Sequence, residues 1–396
     1  MGWFPLVVDT DKPTWSFDIV GLLAVVGGSS IEKHAQAITA SPLGGFPRLL
    51  PAPETMLNTD RPVRLPAIKD VTVLGVHSGT HFNELNFFAE VIHGIDSLQP
   101  YEFQHFRIKH KSGVIQRDAD QKQAELDAGK KDEEEHGEKN KKKTNAPIMA
   151  SIPLHTFCPL NIVTLASILI TIALFVWAGV NHDAVALIGL GTMSLSTSTA
   201  CLSSQWRPKL AVRTSNAKVI PRGDIIIRSR AGAFVFVECD EFVSREIYGG
   251  TEVCDYVFKG VLHQILLGCS TILLMASIIF FSNSGWKMQI AVGLAYVILN
   301  IAYWAMALLT EPGDTWNMED RYDIEKANKP KMTENFTLAM WEAIQATKEI
   351  EWLRRAKIAP GTQNWDKWLE EAKENCHDPN WPAEAQRNYW MAQKNL

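Results

Sequence analysis

Long uncharged runs alternate with dense polar stretches along this chain. "LNIVTLASILITIALFVWAGV" (160–180) contains no Asp, Glu, Lys, Arg or His. One charge at the centre of a membrane helix costs about 2.5–3.5 kcal/mol, so a run this clean predicts a transmembrane helix. Its length suits the roughly 20 residues that cross a ~30 Å hydrocarbon core. After Asn181-His182-Asp183 comes a second span, 184–202, whose Ser and Thr hydroxyls can bond back to helix carbonyls and whose small residues permit close helix contact. Spans 261–282 and 288–309 follow, joined by the short turn Asn283 to Lys287. "FDIVGLLAVVGG" (17–28) is too short to cross. Trp177 and Trp286 fall near the same predicted interface, where indole rings are favoured.

The polar pattern sets an expected orientation. The two short turns hold one basic residue, Lys287, whereas the loop 203–260 carries Arg207, Lys209, Arg213, Lys218, Arg222, Arg228, Arg230, Arg245 and Lys259. Lys141 to Lys143 precede the first span, and Arg321 and Lys326 follow the last. Basic residues stay on the cytoplasmic side, so that loop and both termini are expected there. The sequon at Asn335 is then expected to be unmodified.

Outside the spans, residues 1–116 read as an α/β-like cytoplasmic region. Strands are expected over 18–26, 70–76 and "EFQHFRIKH" (102–110), with helices over 30–39 and 83–95. A proline-rich irregular connection is expected over 41–67. Residues 117–145 are densely charged with nothing to bury, and predict a disordered linker. In 203–260, Asp224–Ile227 and Ala233–Glu238 predict a hairpin in a β-rich module, followed by one helix over "CDEFVSREIYGG". Residues 331–396 hold Trp341, Trp352, Trp365, Trp368, Trp381 and Trp390, and predict a Trp-rich helical tail. "TENFTLAMWEAIQATKEIEWLRR" reads as one amphipathic helix. Acidic residues among these tryptophans favour packing of the tail on itself over binding to anionic lipid.

A net charge of −5 argues against a nucleic-acid binder. The six cysteines show neither CxxC nor zinc-like spacing, and are read as reduced and structural. "HSGTH", His77 to His81, resembles the HxGTHxDxPxH signature of cyclase or kynurenine-formamidase-like metal hydrolases. That resemblance implies zinc held by His77 and His81. The chain departs from it afterwards, with Asn83 for the Asp, Leu85 for the Pro and Phe87 for the last His. Losing a carboxylate and an imidazole removes two ligands, so no metal is expected. The bland reading is a Gly-containing strand-to-helix turn. HxxxH at 77–81 and HxxxxH at 105–110 echo the histidine boxes of membrane desaturases, but no adjacent His-His occurs.

The stretch "PRGDIIIRSRAGAFVFVECDEFVSREIYGG" resembles uncharacterised multi-pass integral membrane proteins of filamentous fungi, over about residues 150–320. That resemblance implies no activity or site residues. The expected fold class is an α-helical membrane protein with four transmembrane helices in two hairpins. Small cytoplasmic α/β and β-rich modules and a helical C-terminal tail complete it. The expected function is a non-enzymatic membrane scaffold or adaptor, without cofactors, that contacts the lipid bilayer and cytoplasmic protein partners. An oligomeric channel or transporter using Ser194 and Ser196, and a membrane enzyme with metal at His77 and His81, are the alternatives. Catalytic residues stay unassigned.

Overall fold

The computed structural model describes residues 28–57, 61–114, 148–212, 220–310 and 312–393. The strand expected over 18–26 and the charged linker lie outside them. In chain order, α1 (Gly28–Ala40) precedes strands β1 (Ile68–Gly75) and β2 (His81–Leu85), helix α2 (Phe87–His93) and strand β3 (Glu102–His110). Strand β4 (Ile148–Ser151) leads to helices α3 (Pro159–Val180) and α4 (Ala184–Ser203). Strands β5 (Trp206–Val212), β6 (Ile225–Arg228), β7 (Phe234–Glu238) and β8 (Glu252–Tyr256) fill the central loop. Helices α5 (Val261–Ser282) and α6 (Trp286–Leu309), then strands β9 (Tyr322–Lys326) and β10 (Lys331–Met332), come next. Helices α7 (Phe336–Thr347), α8 (Glu351–Arg355), α9 (Gln363–Glu374) and α10 (Ala383–Ala392) end the chain.

The chain divides into two interleaved units. Met1–Val63, Pro153–Pro208 and Cys254–Asn317 form a helical unit; Arg64–Ile152, Lys209–Val253 and Met318–Leu396 form a sheet unit.

In the helical unit, α3 to α6 are, among the described residues, four helices long and apolar enough to cross a membrane. Asp183 caps α4 by accepting from the Ala186 N–H (2.9 Å) and also accepts from the Gly285 N–H (2.8 Å). One carboxylate therefore ties the two short turns together. Helices α4 and α5 meet through small residues: Ser196 Oγ donates to Ser270 O (2.8 Å) and Ser270 Oγ to Ser196 O (2.9 Å). Trp177 and Trp286 are both exposed at the short-turn end.

Residues 28–57 also belong to this unit. Ile31, Ile38, Leu50 and Met56 join a core with Leu160, Ala200 and Tyr303, while Leu49 packs with Leu174, Leu190 and Val292. The irregular stretch after α1 finds its polar partners on the helices. Ser41 Oγ donates to Asn161 Oδ1 (2.8 Å), and the Leu49 N–H donates to Thr171 Oγ1 (2.9 Å). Leu49 O accepts from Ser167 Oγ, and Gly45 O from Ser198 Oγ. Gly44 is required by close approach, because a Cβ there would stand 2.5 Å from Ile38 O.

The sheet unit is built on seven strands ordered β10-β3-β7-β6-β1-β2, with β9 also beside β3. Among the described residues, the β3–β7 pairing of this sheet is parallel and its other pairings are antiparallel. The expected 224–227/233–238 hairpin is present as β6 and β7. Alternation along the strands divides the side chains between two faces. Leu74, Phe103, Ile226, Phe234 and Phe236 pack under α7 to α10. Phe106 on the opposite face meets His93 of α2 at 4.7 Å between ring centroids.

Two expected helices are interrupted. The tail helix breaks at Lys348, which adopts φ 59° and caps α7. The break lets Ile350 and Trp352 drop into the core. "CDEFVSREIYGG" forms a short turn at Glu241–Val243 and a wider π-type turn at Ser244–Gly249 that buries Glu246, Ile247 and Tyr248. The tail tryptophans pack together. Trp341, Trp352 and Trp368 are buried, Trp341 lies 4.6 Å from Trp381 between centroids, and Trp368 Nε1 donates to Ala383 O (2.9 Å).

Candidate functional site

The "HSGTH" stretch is the turn of a hairpin between β1 and β2, not a strand-to-helix turn, and α2 begins only at Phe87. The alternating residues from His81 onward pair with β1, Leu74 opposite His81 and Val73 opposite Phe82. The Gly75 N–H donates to Thr80 O (2.9 Å), and Gly79 takes φ 71°, a conformation open to glycine without steric cost. His77 Nε2 lies 3.0 Å from Asp224 Oδ2, and His81 stands exposed at the start of β2. Among the described residues, no group of three or more His, Cys, Asp and Glu is arranged to hold a metal. His105 and His110 both lie on β3, five positions apart, so the period-two alternation sends them to opposite faces of the sheet.

Asp224 opens onto a cleft of about 330 Å³, lined also by Lys109, His110, Arg222, Glu238 and Cys239. Asp224 Oδ1 accepts from the Cys239 N–H (3.2 Å), so this carboxylate bridges β7 and the hairpin turn. Burial, then the surrounding carboxylates led by Asp224 and Asp240, hold the Cys239 thiol well above its ordinary range. It stays protonated and donates to Gly223 O (3.3 Å), which is unsuited to a nucleophile.

Deeper lies Glu246, which accepts from His110 Nε2 (2.9 Å) and from Arg321 Nε. Burial pushes this carboxyl up, but the hydrogen bonds and charges of His110 and Arg321 outweigh it and hold Glu246 below the usual carboxylate range.

Helix α2 is fastened at both ends. Glu252 accepts from the Phe87 N–H (2.8 Å) and Phe88 N–H (3.0 Å). Burial nonetheless pushes its carboxyl up to about 7, with those two bonds opposing. At the other end His93 Nε2 meets Tyr248 Oη at 2.6 Å. Burial, aided by the Lys326 charge, takes His93 down to about 3, so this imidazole is neutral.

The helical unit has its own cavity, about 190 Å³, lined by Glu32, Gln36 and Thr39 of α1 together with Arg61, Trp206 and Tyr256. The Arg61 guanidinium lies 4.2 Å over the Tyr256 ring and donates to Phe258 O (2.9 Å) and Ser203 O. Arg48 is fully buried, and its Nη1 donates to Gly44 O (2.7 Å), Leu43 O (3.2 Å) and Phe46 O (3.3 Å).

Pattern reading singled out His77 and His81 and passed over Arg48 and its surroundings. A signal was present: Ser167 and Thr171 stand four apart, so their hydroxyls share one face of an otherwise apolar helix. Ser196, read as a candidate pore-lining residue, is engaged with Ser270, and Ser194 Oγ donates to Gly191 O (3.2 Å). No protein-family model, no curated protein and no solved structure matches the chain.

Proposed function

We propose that this chain is an integral membrane protein whose helices α3 to α6 cross the bilayer as two hairpins, with both termini and residues 203–260 on the cytoplasmic side. Its role in this reading is that of a non-enzymatic scaffold or adaptor presenting the sheet unit to cytoplasmic protein partners. The observation that carries it is the outward apolar surface of the helices. Leu169, Ile172 and Val176 on α3, Ile272 and Ile279 on α5, and Leu294 and Ile301 on α6 are all exposed. In water such surface is penalised by about 25 cal/mol per Å², whereas lipid removes the penalty.

The orientation draws on basic residues concentrated outside the short turns. The scaffold role draws on the sheet unit's charged interior. Asp224, Glu246 and Glu252 each meet partners from distant segments, as expected of groups that hold a fold together.

Acceptor sequons inserted into the Asn181–Asp183 turn and, separately, after Arg230 test the orientation. Glycosylation of the first alone is expected; glycosylation of the second overturns it. Proximity labelling from the C-terminus of the full-length protein tests the role. A reproducible set of cytoplasmic proteins, lost when the sheet unit is destabilised, is expected. An unchanged set, or ion flux in vesicles reconstituted with the pure protein, overturns it.

A further inference from the structure

The irregular connection expected over 41–67 does more than connect, because residues 41–57 thread among the four apolar helices. Resting on the membrane reading above, we infer that this segment is a re-entrant loop, entering the bilayer from the end where 203–260 emerges and leaving at the same end.

Depth follows from helix geometry. Ser41 bonds Asn161, two residues inside the start of α3, so the loop enters near the helix end. Leu49 bonds Ser167 and Thr171, eight and twelve residues inside, roughly 12–18 Å along the axis and near the middle of a ~30 Å core. Thr55 and Met56 line the cavity beside Ser204, which directly follows α4, so the chain has returned. Pro42–Gly45 form a 3-10 turn rising about 2 Å per residue, and with four further steps at up to about 3.3 Å the limb from Ser41 to Leu49 reaches up to roughly 21 Å, enough for the descent.

Irregular backbone survives at membrane depth only where its polar groups are satisfied inside the protein. The helices supply those partners: Ser167 and Thr171 hydroxyls serve both main-chain groups of Leu49, and Ser198 serves Gly45 O. The loop adds partners of its own, since carbonyls of Leu43, Gly44 and Phe46 converge on the buried Arg48 guanidinium. Arg48 thereby acts as a positioning residue that curls the descending limb. Phe46, beside it, is 55% exposed among the described residues, an aromatic side chain suited to lipid.

Phe46 also separates membrane burial from protein burial. Single cysteines are introduced by Phe46→Cys, Ile172→Cys and Arg230→Cys into full-length protein whose native cysteines are replaced by serine. Each is reconstituted in phosphatidylcholine vesicles and spin-labelled. Collision with oxygen, which partitions into lipid, is compared with collision with a water-soluble nickel chelate.

Labels at positions 46 and 172 are expected to favour oxygen, with nickel collisions at least about tenfold rarer than at position 230. Nickel access at position 46 equal to that at 230, with 172 still shielded, overturns the re-entrant loop and spares the spans. Nickel access at 172 overturns the membrane reading and this inference with it. In a second arm, Ser167→Ala with Thr171→Ala is expected to raise nickel access at position 46 while 172 stays shielded; unchanged access overturns the role given to those hydroxyls in holding the loop.

Discussion

In the helical unit, buried polarity is mostly neutral. Hydroxyls of Ser167, Thr171, Ser196, Ser198 and Ser270 reach backbone groups of other segments, and one guanidinium is held by carbonyls. In the sheet unit it centres on carboxylates: Glu246 takes Arg321 and His110, and Asp224 takes His77. The difference teaches how each unit holds together segments far apart in sequence. Neutral hydrogen bonds between helices contribute about 0.6–2 kcal/mol each. A buried ion pair contributes little net stability, but breaking it from one side costs about 3–5 kcal/mol. The sheet unit is therefore specified by a few irreplaceable pairs, and the helical unit by many weak ones.

Glu246→Ala attacks that contrast where it is steepest. It removes the buried carboxylate that engages both Arg321 and His110 and is expected to cost about 3–5 kcal/mol. Denaturant titration of the detergent-solubilised protein, followed by fluorescence of the packed tail tryptophans, reads that loss. A change below 1 kcal/mol, on the scale of exposed ion pairs, would place Glu246 outside the irreplaceable class.

Arg48→Ala is the matching change in the helical unit. Removing the guanidinium takes the side-chain donor from the buried Gly44 carbonyl, at about 1–3 kcal/mol, while Leu43 O keeps the Phe46 N–H; it also relieves the burial of a charge. A net loss of about 1–3 kcal/mol is expected, read as an earlier loss of helicity on titration with a denaturing detergent. Stability equal to the parent would mean that the loop does not depend on this residue.

A smaller effect concerns pH, and the two ends of α2 oppose each other. His93 is depressed in the folded state to about 3, so its contribution is complete above its unfolded value near 6.5 and is lost as pH falls below it. Glu252 is raised to about 7, so its contribution is complete below about 4.5 and is lost as pH rises through 7. Between about 4.5 and 6.5 the proton counts nearly cancel, giving a flat profile. Glu252→Gln removes one side of the balance. Its stability relative to the parent should rise steadily between pH 4.5 and 7.5, and a constant difference across that range contradicts the assignment.

The smallest expected effect is that of Ser196→Ala or Ser270→Ala. Each removes one of two reciprocal bonds between α4 and α5, for about 0.6–2 kcal/mol. A double-mutant cycle should show coupling between the two serines, and strict additivity would make their bonds incidental.

Much of the architecture was readable along the chain. The four apolar helices, the hairpin at 224–238 and the strand at 102–110 stand where periodicity and length put them. Lys348 shows where that legibility stopped. The i, i+4 pattern ran through it, but burying both Ile350 and Trp352 needed a left-handed residue that no pattern announces. "HSGTH" shows a second limit: expected as a strand-to-helix turn, it joins two paired strands, with His77 beside Asp224 and His81 exposed.

By itself, the sequence determined which segments are apolar enough for lipid and which alternate as strands, because both signals are local and repeat every few residues. Only the tertiary structure decided what satisfies the polar groups those segments bury. Leu49 finds its partners more than a hundred residues away on α3, and Glu246 finds Arg321 across the span of two apolar helices. A buried N–H, carbonyl or charge must be paired, yet nothing in its immediate neighbours says with what. The choice is made when distant segments pack.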